Sequence, residues 1–505
     1  MSQRPNVIII MTDQQRADLC AREGYPLDTT PFLDSLAKRG AWFDRAYTTT
    51  PLCGPARASL VTGRYPSATR CRTNHNLDDV IDCENVFQLF HENGYKTALC
   101  GKNHSHLSED RPEVDFWFET SHLGTKDPDP LPQNRAFDDF LKNQTHFHFW
   151  REASPHPAET QLPFRIGNKA KGWVDETVEA GDPFFLWLSY PEPHNPFQVS
   201  EPYYSMFSPQ DLPKMASDES DLKDKSFKYN WCRESFLTAF PDFADDLPRL
   251  RANYHGMLRM IDDSVKDVVG HLEQKNLMEN TVIVFLSDHG DFVGEYGLMR
   301  KGPELPEALT RIPFFVTGPG VVADGSARED HVSLADVMPT VLEAAGIEIP
   351  AGVQGRSLWP MVTGKGYPEA DFASAYAEVG FGGLNYDGSE SLDPEDDGRK
   401  ASPDGESWGA YDCLNSWTMS GQMRMVRKGD WKLVWDMNGR GQLYNVVDDP
   451  AELKDLFDDP SVASKQKELM ADLLTWILRT QDPLPYPRRR YVVKRDNRNY
   501  WEPYK

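Results

Sequence analysis

At 505 residues the chain is long enough for a large core and for more than one domain. With 39% hydrophobic and 26% charged residues its composition is that of a globular protein, not of a disordered or fibrous one. A net charge of −24 repels nucleic acid and anionic membranes, and so speaks against both as partners.

No apolar run approaches the roughly 18 residues needed to cross a bilayer. Val7–Met11 is too brief and too early for a secretory segment, reads instead as a first core strand, and makes a cytoplasmic location the expectation. Seven cysteines (20, 53, 71, 83, 100, 232, 413), odd in number and without a CxxC pair, form neither a disulfide framework nor a structural zinc site.

Val7–Met11, Thr97–Cys100, Phe184–Ser189, Val282–Ser287 and Phe314–Thr317 are short apolar runs of the kind found in strands covered on both faces. Helical patterns alternate with them, which predicts an α/β fold. After the first strand, Thr30 reads as an N-cap, Pro31 as the first helical residue and Gly40 as the stop. In Thr50–Leu60, Pro55 fits near the start of a helix and puts Cys53 at an anion-favouring N-terminus, with Arg57 one turn along on the same face. Leu250–Leu272 carries apolar residues with the 3.6 period of a buried helix face.

Beyond about residue 375 the character changes. Gly382–Tyr411 reads as a long polar loop. Short strands follow at Gln422–Arg427, Trp431–Trp435 and Gln442–Tyr444. Asp449-Pro450-Ala451-Glu452 reads as a helix start, and Leu469–Leu478 as an amphipathic helix. The expected organisation is a catalytic α/β domain over 1–375, an α+β domain over 376–483 and an arm over 484–505. The arm has seven Lys/Arg against two Asp/Glu among five aromatic residues, and is expected to pack on the acidic body or on a second copy in a homo-oligomer.

Four of the strands run straight into polar residues, where open α/β sheets carry their sites. Val7–Met11 leads to Asp13, Thr97–Cys100 to Lys102 and His104, Phe184–Ser189 to His194, and Val282–Ser287 to Asp288 and His289. A single strand-end Asp is often a helix cap; four such ends gather a site on one rim. Asp13, Asp288 and His289 offer two hard oxygens and an imidazole, a set suited to Ca²⁺, Mg²⁺ or Mn²⁺. Lys102 and Lys301 are placed to supply positive charge to a tetrahedral oxyanion.

Cys53-Gly54-Pro55-Ala56-Arg57, continued by Thr62-Gly63-Arg64, resembles the C-x-P-x-R signature of the sulfatase family, and Gly101-Lys102-Asn103-His104 its G-K-x-H signature. Pro5–Asp13, Ser287–Asp291 with Lys301, and Leu443-Tyr444-Asn445 with Asp449–Glu452 extend the likeness along most of the chain. The resemblance implies an alkaline-phosphatase-like fold: a large mixed sheet between helices, with a small C-terminal domain. It implies that a maturation enzyme converts Cys53 to formylglycine, whose hydrate attacks sulfur with one hydroxyl and expels sulfate with the other. It assigns the metal to Asp13, residue 53, Asp288 and His289, with Ca²⁺ ahead of Mn²⁺ or Mg²⁺. Arg57 would hold the hydrate, Lys102 and Lys301 the sulfate oxygens, and Asn74 a further sulfate contact. His194 would protonate the leaving alcohol and His104 would serve sulfate release.

The pairs Asp13-Gln14 and Asp288-His289 replace the Asp-Asp and Asp-Asn of many members. They resemble choline sulfatases, some polysaccharide sulfatases and the phosphonate monoester hydrolases, and leave Gln14 open as a ligand. The implied substrate is a sugar, choline or aryl sulfate. The alternatives are a phosphonate monoester or phosphodiester hydrolase on the same scaffold, in which Lys102 and His104 would be out of place, or an inactive binding homologue. Specificity is expected in the loops Leu107–Gly172 and Gly382–Trp417, with His106, His146, His148, Trp408 and Trp417 as pocket candidates.

Overall fold

The computed structural model describes residues 4–142, 150–239, 242–323, 325–387, 389 and 420–482. The arm, most of the polar loop, and with them His146, His148, Trp408 and Trp417 lie outside the described residues.

All five apolar runs of the first two-thirds are strands of one nine-stranded mixed sheet. Its centre is parallel, in the spatial order Thr281–Ser287, Asn6–Thr12, Phe184–Ser189, Lys96–Lys102, Phe116–Ser121. Phe314–Thr317 joins antiparallel beside Thr281–Ser287. The first strand shows why the runs are apolar throughout. Val7, Ile9 and Met11 enter one core cluster, and Ile8 and Ile10 enter the one on the opposite face. With a side-chain period of two, both faces are covered, and each buried aliphatic side chain contributes about 1.5–3 kcal/mol. Helices Leu162–Ala180 and Phe243–Gln274 cover one face through Ile166, Ala170, Ile261 and Val265. The other is covered by Cys53–Thr62 and Val337–Ala344 through Ala56, Leu60, Val61, Val337 and Val341.

The helix Pro31–Lys38 starts where expected, but Thr30 makes no capping hydrogen bond. The Asp262 carboxylate caps it from another helix, accepting from the backbone N–H of Phe32 at 2.9 Å and of Leu33 at 2.7 Å. Phe116–Ser121 is not among the expected strands, because its side chains are half-buried and its run lacks the fully apolar pattern of the others.

A four-stranded antiparallel sheet follows, formed by Ser374–Val379, Met423–Lys428, Trp431–Asp436 and Gly441–Asn445. Helix Ala463–Thr480 packs on it through Leu469, Leu473 and Trp476, the indole stacking on Tyr376 at 5.6 Å. The helix expected to open at Asp449 is instead a turn. The Asp449 carboxylate accepts from the N–H groups of Leu453 and Lys454, and Glu452 takes a left-handed φ of 55°. That conformation carries the Glu452 carboxylate to the fully buried Lys432 at 2.9 Å and to the Glu307 N–H at 2.7 Å. A docking contact overrides the local helix signal. Among the described residues no helix is long and apolar enough to cross a membrane.

Burial sets one pH dependence of the fold. His255, on the long helix, donates Nδ1–H to the Arg251 carbonyl and accepts from the Tyr25 hydroxyl at 2.6 Å. Burial, chiefly, pushes it down to about 4. The unfolded value is about 6.5, so the neutral ring contributes about 3 kcal/mol that is fully present above pH 6.5 and lost as pH falls through 4. Thermal midpoints measured from pH 7 to 4 should therefore fall more steeply for the wild type than for His255→Gln. Parallel curves would remove His255 from the acid response.

Candidate active site

The sheet brings the candidate residues together by register. Parallel pairing sets Thr12 beside Ser287, so the next residues, Asp13 and Asp288, leave the sheet side by side. Backbone bonds tie the exits together: Asp13 N–H to the Glu192 carbonyl, and Asp288 N–H to the Thr12 carbonyl, both 3.1 Å. Gly101 has a φ of 111°, and a side chain there would run into the Ser189 carbonyl. Only glycine lets these two exits lie this close. Gln14 and His104 hold left-handed φ values of 67° and 44°, strain of the kind that collects at functional sites.

The helix bearing the cysteine signature begins at Cys53, at the N-terminus as expected, with Pro55 in its first turn, and all of Cys53–Thr62 is buried. One ligand atom each from Asp13, Cys53, Asp288 and His289 lie within 4.8 Å of one another, and all four residues are buried. The Cys53 Sγ is 3.2 Å from His289 Nε2 and 3.5 Å from Asp13 Oδ1. His289 Nδ1 faces the Gly290 carbonyl at 2.8 Å, which puts the ring proton there and leaves the Nε2 lone pair toward the cluster.

The electrostatics suit a divalent cation. Burial and the adjacent Asp13 charge push Asp288 up. Burial opposes ionisation of Asp13 as well, but Lys102, with His194 and Arg57 behind it, holds that carboxyl well below its usual range. For His289, burial is outweighed by Asp288 and Cys53, which lift it to about 9, so a proton takes up charge that a cation would otherwise balance. Burial and Asp13 resist a thiolate at Cys53, yet Lys102, Lys301 and His289 overcome them and hold the thiol well below its usual value. Two carboxylate oxygens, an imidazole nitrogen and residue 53 fit a hard or borderline divalent ion.

A ring of cations and imidazoles surrounds this core. Arg57 donates to Asp288 Oδ2 at 2.9 Å, to the Lys102 carbonyl at 2.8 Å and to the Ser189 hydroxyl at 2.8 Å. Lys102 pairs with Asp13, and Lys301 Nζ lies 3.5 Å from both Cys53 Sγ and His194 Nε2. At His104, burial followed by Lys102 lowers the basicity of the ring, against the opposing pull of Cys53. The Asn74 amide oxygen accepts the Gly54 N–H at 2.8 Å, which seats that side chain against the first turn of the cysteine helix. The Gln14 amide is engaged outside the four-residue cluster, donating to Asp291 at 2.8 Å and accepting from Lys301 at 3.2 Å. His106 is held at about 4, chiefly by burial, with Arg111 and Asp82 as its charged neighbours.

Sequence reasoning misses His122. It follows the strand Phe116–Ser121, stacks on His194 with ring centroids 3.5 Å apart, and lies 2.9 Å from Lys102 Nζ. Its signal is positional: it leaves the carboxyl end of a parallel strand, as the other site residues do.

A family model described as Sulfatase matches residues 5–347. The chain belongs to the sulfatase family. That sets its class as a sulfuric ester hydrolase. An arylsulfatase of Clostridium perfringens (strain 13 / Type A) is 28% identical over 397 residues, 71% of this chain and 78% of that protein. The multifunctional alkaline phosphatase superfamily protein PehA of Trinickia caryophylli is 28% identical over 529 residues, 95% of this chain and 96% of that protein. The solved phosphonate monoester hydrolase of Agrobacterium radiobacter matches with a TM-score of 0.74 at 22% identity, covering 94% of this chain and 96% of that one. This sulfatase therefore has the alkaline-phosphatase-like fold, a large mixed sheet with flanking helices and a small C-terminal antiparallel sheet.

Proposed function

We propose that this sulfatase hydrolyses a sulfate monoester of a sugar, choline or a phenol, using residue 53 as formylglycine and one divalent cation, Ca²⁺ ahead of Mn²⁺ or Mg²⁺. The observation that carries the reading is a buried residue 53 at a helix N-terminus, in contact with Lys301 and His289, with Arg57 and Lys102 paired to the carboxylates of the same four-residue cluster.

The cation, held by Asp13, residue 53, Asp288 and His289, would supply Lewis acidity and activate the nucleophile. Formylglycine, as its hydrate, would supply one hydroxyl for attack and a second for release. The other roles fall to the chain's own side chains. Arg57 braces Asp288 and the exit of the Lys96–Lys102 strand, fixing the wall against which residue 53 sits. The Lys102 and Lys301 ammonium groups offset charge developing on sulfate oxygens, and in a buried site that attraction is strong. His194 holds its Nδ1 proton on the Asn195 carbonyl at 2.7 Å and turns Nε2 toward Lys301 and the reaction space. Once protonated at Nε2 it delivers that proton to the departing alcohol oxygen. His104, whose basicity Cys53 raises and burial lowers, would take the proton from residue 53 that sulfate release requires. Asn74, through its hold on Gly54, steadies the helix terminus that faces the anion.

A second reading is a phosphonate monoester or phosphodiester hydrolase, kept open because this chain shares the scaffold of the phosphonate monoester hydrolase of Agrobacterium radiobacter. One experiment separates the two. The protein is produced with a formylglycine-generating enzyme, and conversion of residue 53 is confirmed from the mass of its peptide. Sulfated sugars, choline sulfate and aryl sulfates are then compared with phosphonate monoesters and phosphodiesters. A sulfate ester should be the best substrate class. Phosphonates or diesters turned over orders of magnitude faster would overturn the sulfate reading and keep the scaffold.

A further inference from the structure

We propose that His122 is a positioning residue for the leaving-group step: anchored on Lys102 and laid flat on His194, it fixes the imidazole that protonates the departing alcohol. The proposal rests on the role given to His194 above.

The two rings are nearly coplanar in orientation, 9° apart, with centroids at 3.5 Å. Lysine has only donors, so the 2.9 Å contact from Lys102 Nζ makes His122 Nε2 the acceptor and places the ring proton on Nδ1. That contact fixes the tautomer of His122, and the stack on His194 adds the second constraint that sets its ring plane. Lys102 is itself held by Asp13, so the anchor leads back to the central strand exits.

His194 needs such a support. Its short ring-edge contact is from Nδ1 to the Asn195 carbonyl at 2.7 Å; toward Lys301, Nε2 has only a 3.5 Å approach. An imidazole held firmly at one edge can pivot about that bond and swing Nε2, the atom that carries the catalytic proton. A flat partner against the ring face removes the pivot. Displacing a reacting group by about 1 Å costs on the order of 100-fold, so the pivot matters at the proton-transfer step. The loss therefore falls on kcat, at the step in which Nε2 delivers its proton.

The experiment compares His122→Ala, His122→Phe and wild type on a matched pair of esters, an alkyl sulfate and p-nitrophenyl sulfate. All proteins are checked for equal residue-53 conversion and thermal midpoint. His122→Ala should lower kcat for the alkyl ester by about 10–100-fold, with KM little changed. It should alter p-nitrophenyl sulfate, whose phenolate departs without a proton, by less than about 3-fold. His122→Phe keeps a flat ring against His194 and should recover most of the alkyl activity. Equal losses on both esters, or His122→Phe as poor as His122→Ala, would overturn the proposal. A wild type that prefers phosphonates would refute the sulfate reading alone, and the same comparison on alkyl and p-nitrophenyl phosphonates would still decide the role of His122.

Discussion

Asp288→Ala should abolish turnover, lowering kcat/KM by at least about 1000-fold, and should lose the metal at the same time. The carboxylate does three things. Its Oδ1 accepts from the Gln14 N–H at 3.1 Å and the His289 N–H at 2.9 Å, its Oδ2 takes Arg57 at 2.9 Å, and the group belongs to the four-residue cluster. Truncation removes a ligand, releases a buried guanidinium and frees the loop that presents His289. Metal analysis should find one ion per wild-type chain and close to none in the variant. Asp288→Asn, which keeps the shape and one accepting oxygen, separates lost charge from lost packing: circular dichroism should stay native while metal content falls. Two ions per wild-type chain, or full metal in Asp288→Ala, would refute the assignment.

His194→Ala should reveal which bond is being broken. General acid assistance is worth about 100–10,000-fold, and only where the leaving group needs a proton. An unactivated sugar or alkyl sulfate should lose activity on that scale, whereas p-nitrophenyl sulfate should be nearly spared. Plotted against leaving-group pKa, the variant's rates should fall much more steeply than the wild type's. Parallel plots would move the proton to another group, with Lys301 next in line at 3.5 Å from the same nitrogen.

Much of this site is legible in the sequence, for a physical reason. A strand buried on both faces has to be apolar to its end, so Asp13, Lys102, His194 and Asp288 stand out as polarity appearing abruptly after Val7–Met11, Thr97–Cys100, Phe184–Ser189 and Val282–Ser287. The same contrast fails at the sheet margin. Phe116–Ser121 is only half-buried, carries Glu119 and Thr120, and hides both a strand and the histidine after it. Ser374–Val379, the first strand of the small sheet, straddles the expected boundary between domains and so escapes a reading that looks for strands on either side of it. The residues of Asp449–Glu452 spell a helix start locally but answer to Lys432 and Glu307, partners that no local pattern reveals. Asn74 enters the sequence reading only through the family resemblance, as a sulfate contact, and its hold on the Gly54 N–H is a tertiary fact.

The buried lysine of the small sheet ties that sheet to the rest of the chain. Lys432 reaches Glu307 of the large domain at 3.2 Å and Glu452 of its own turn at 2.9 Å, with no exposure to water. Breaking a buried pair of this kind from one side costs about 3–5 kcal/mol, because the remaining charge is stranded. The C-terminal unit is therefore not an exchangeable cassette. A recombinant that borrows it from a relative inherits a working core only if the donor supplies both the lysine and the turn glutamate, and the recipient the matching acid at 307.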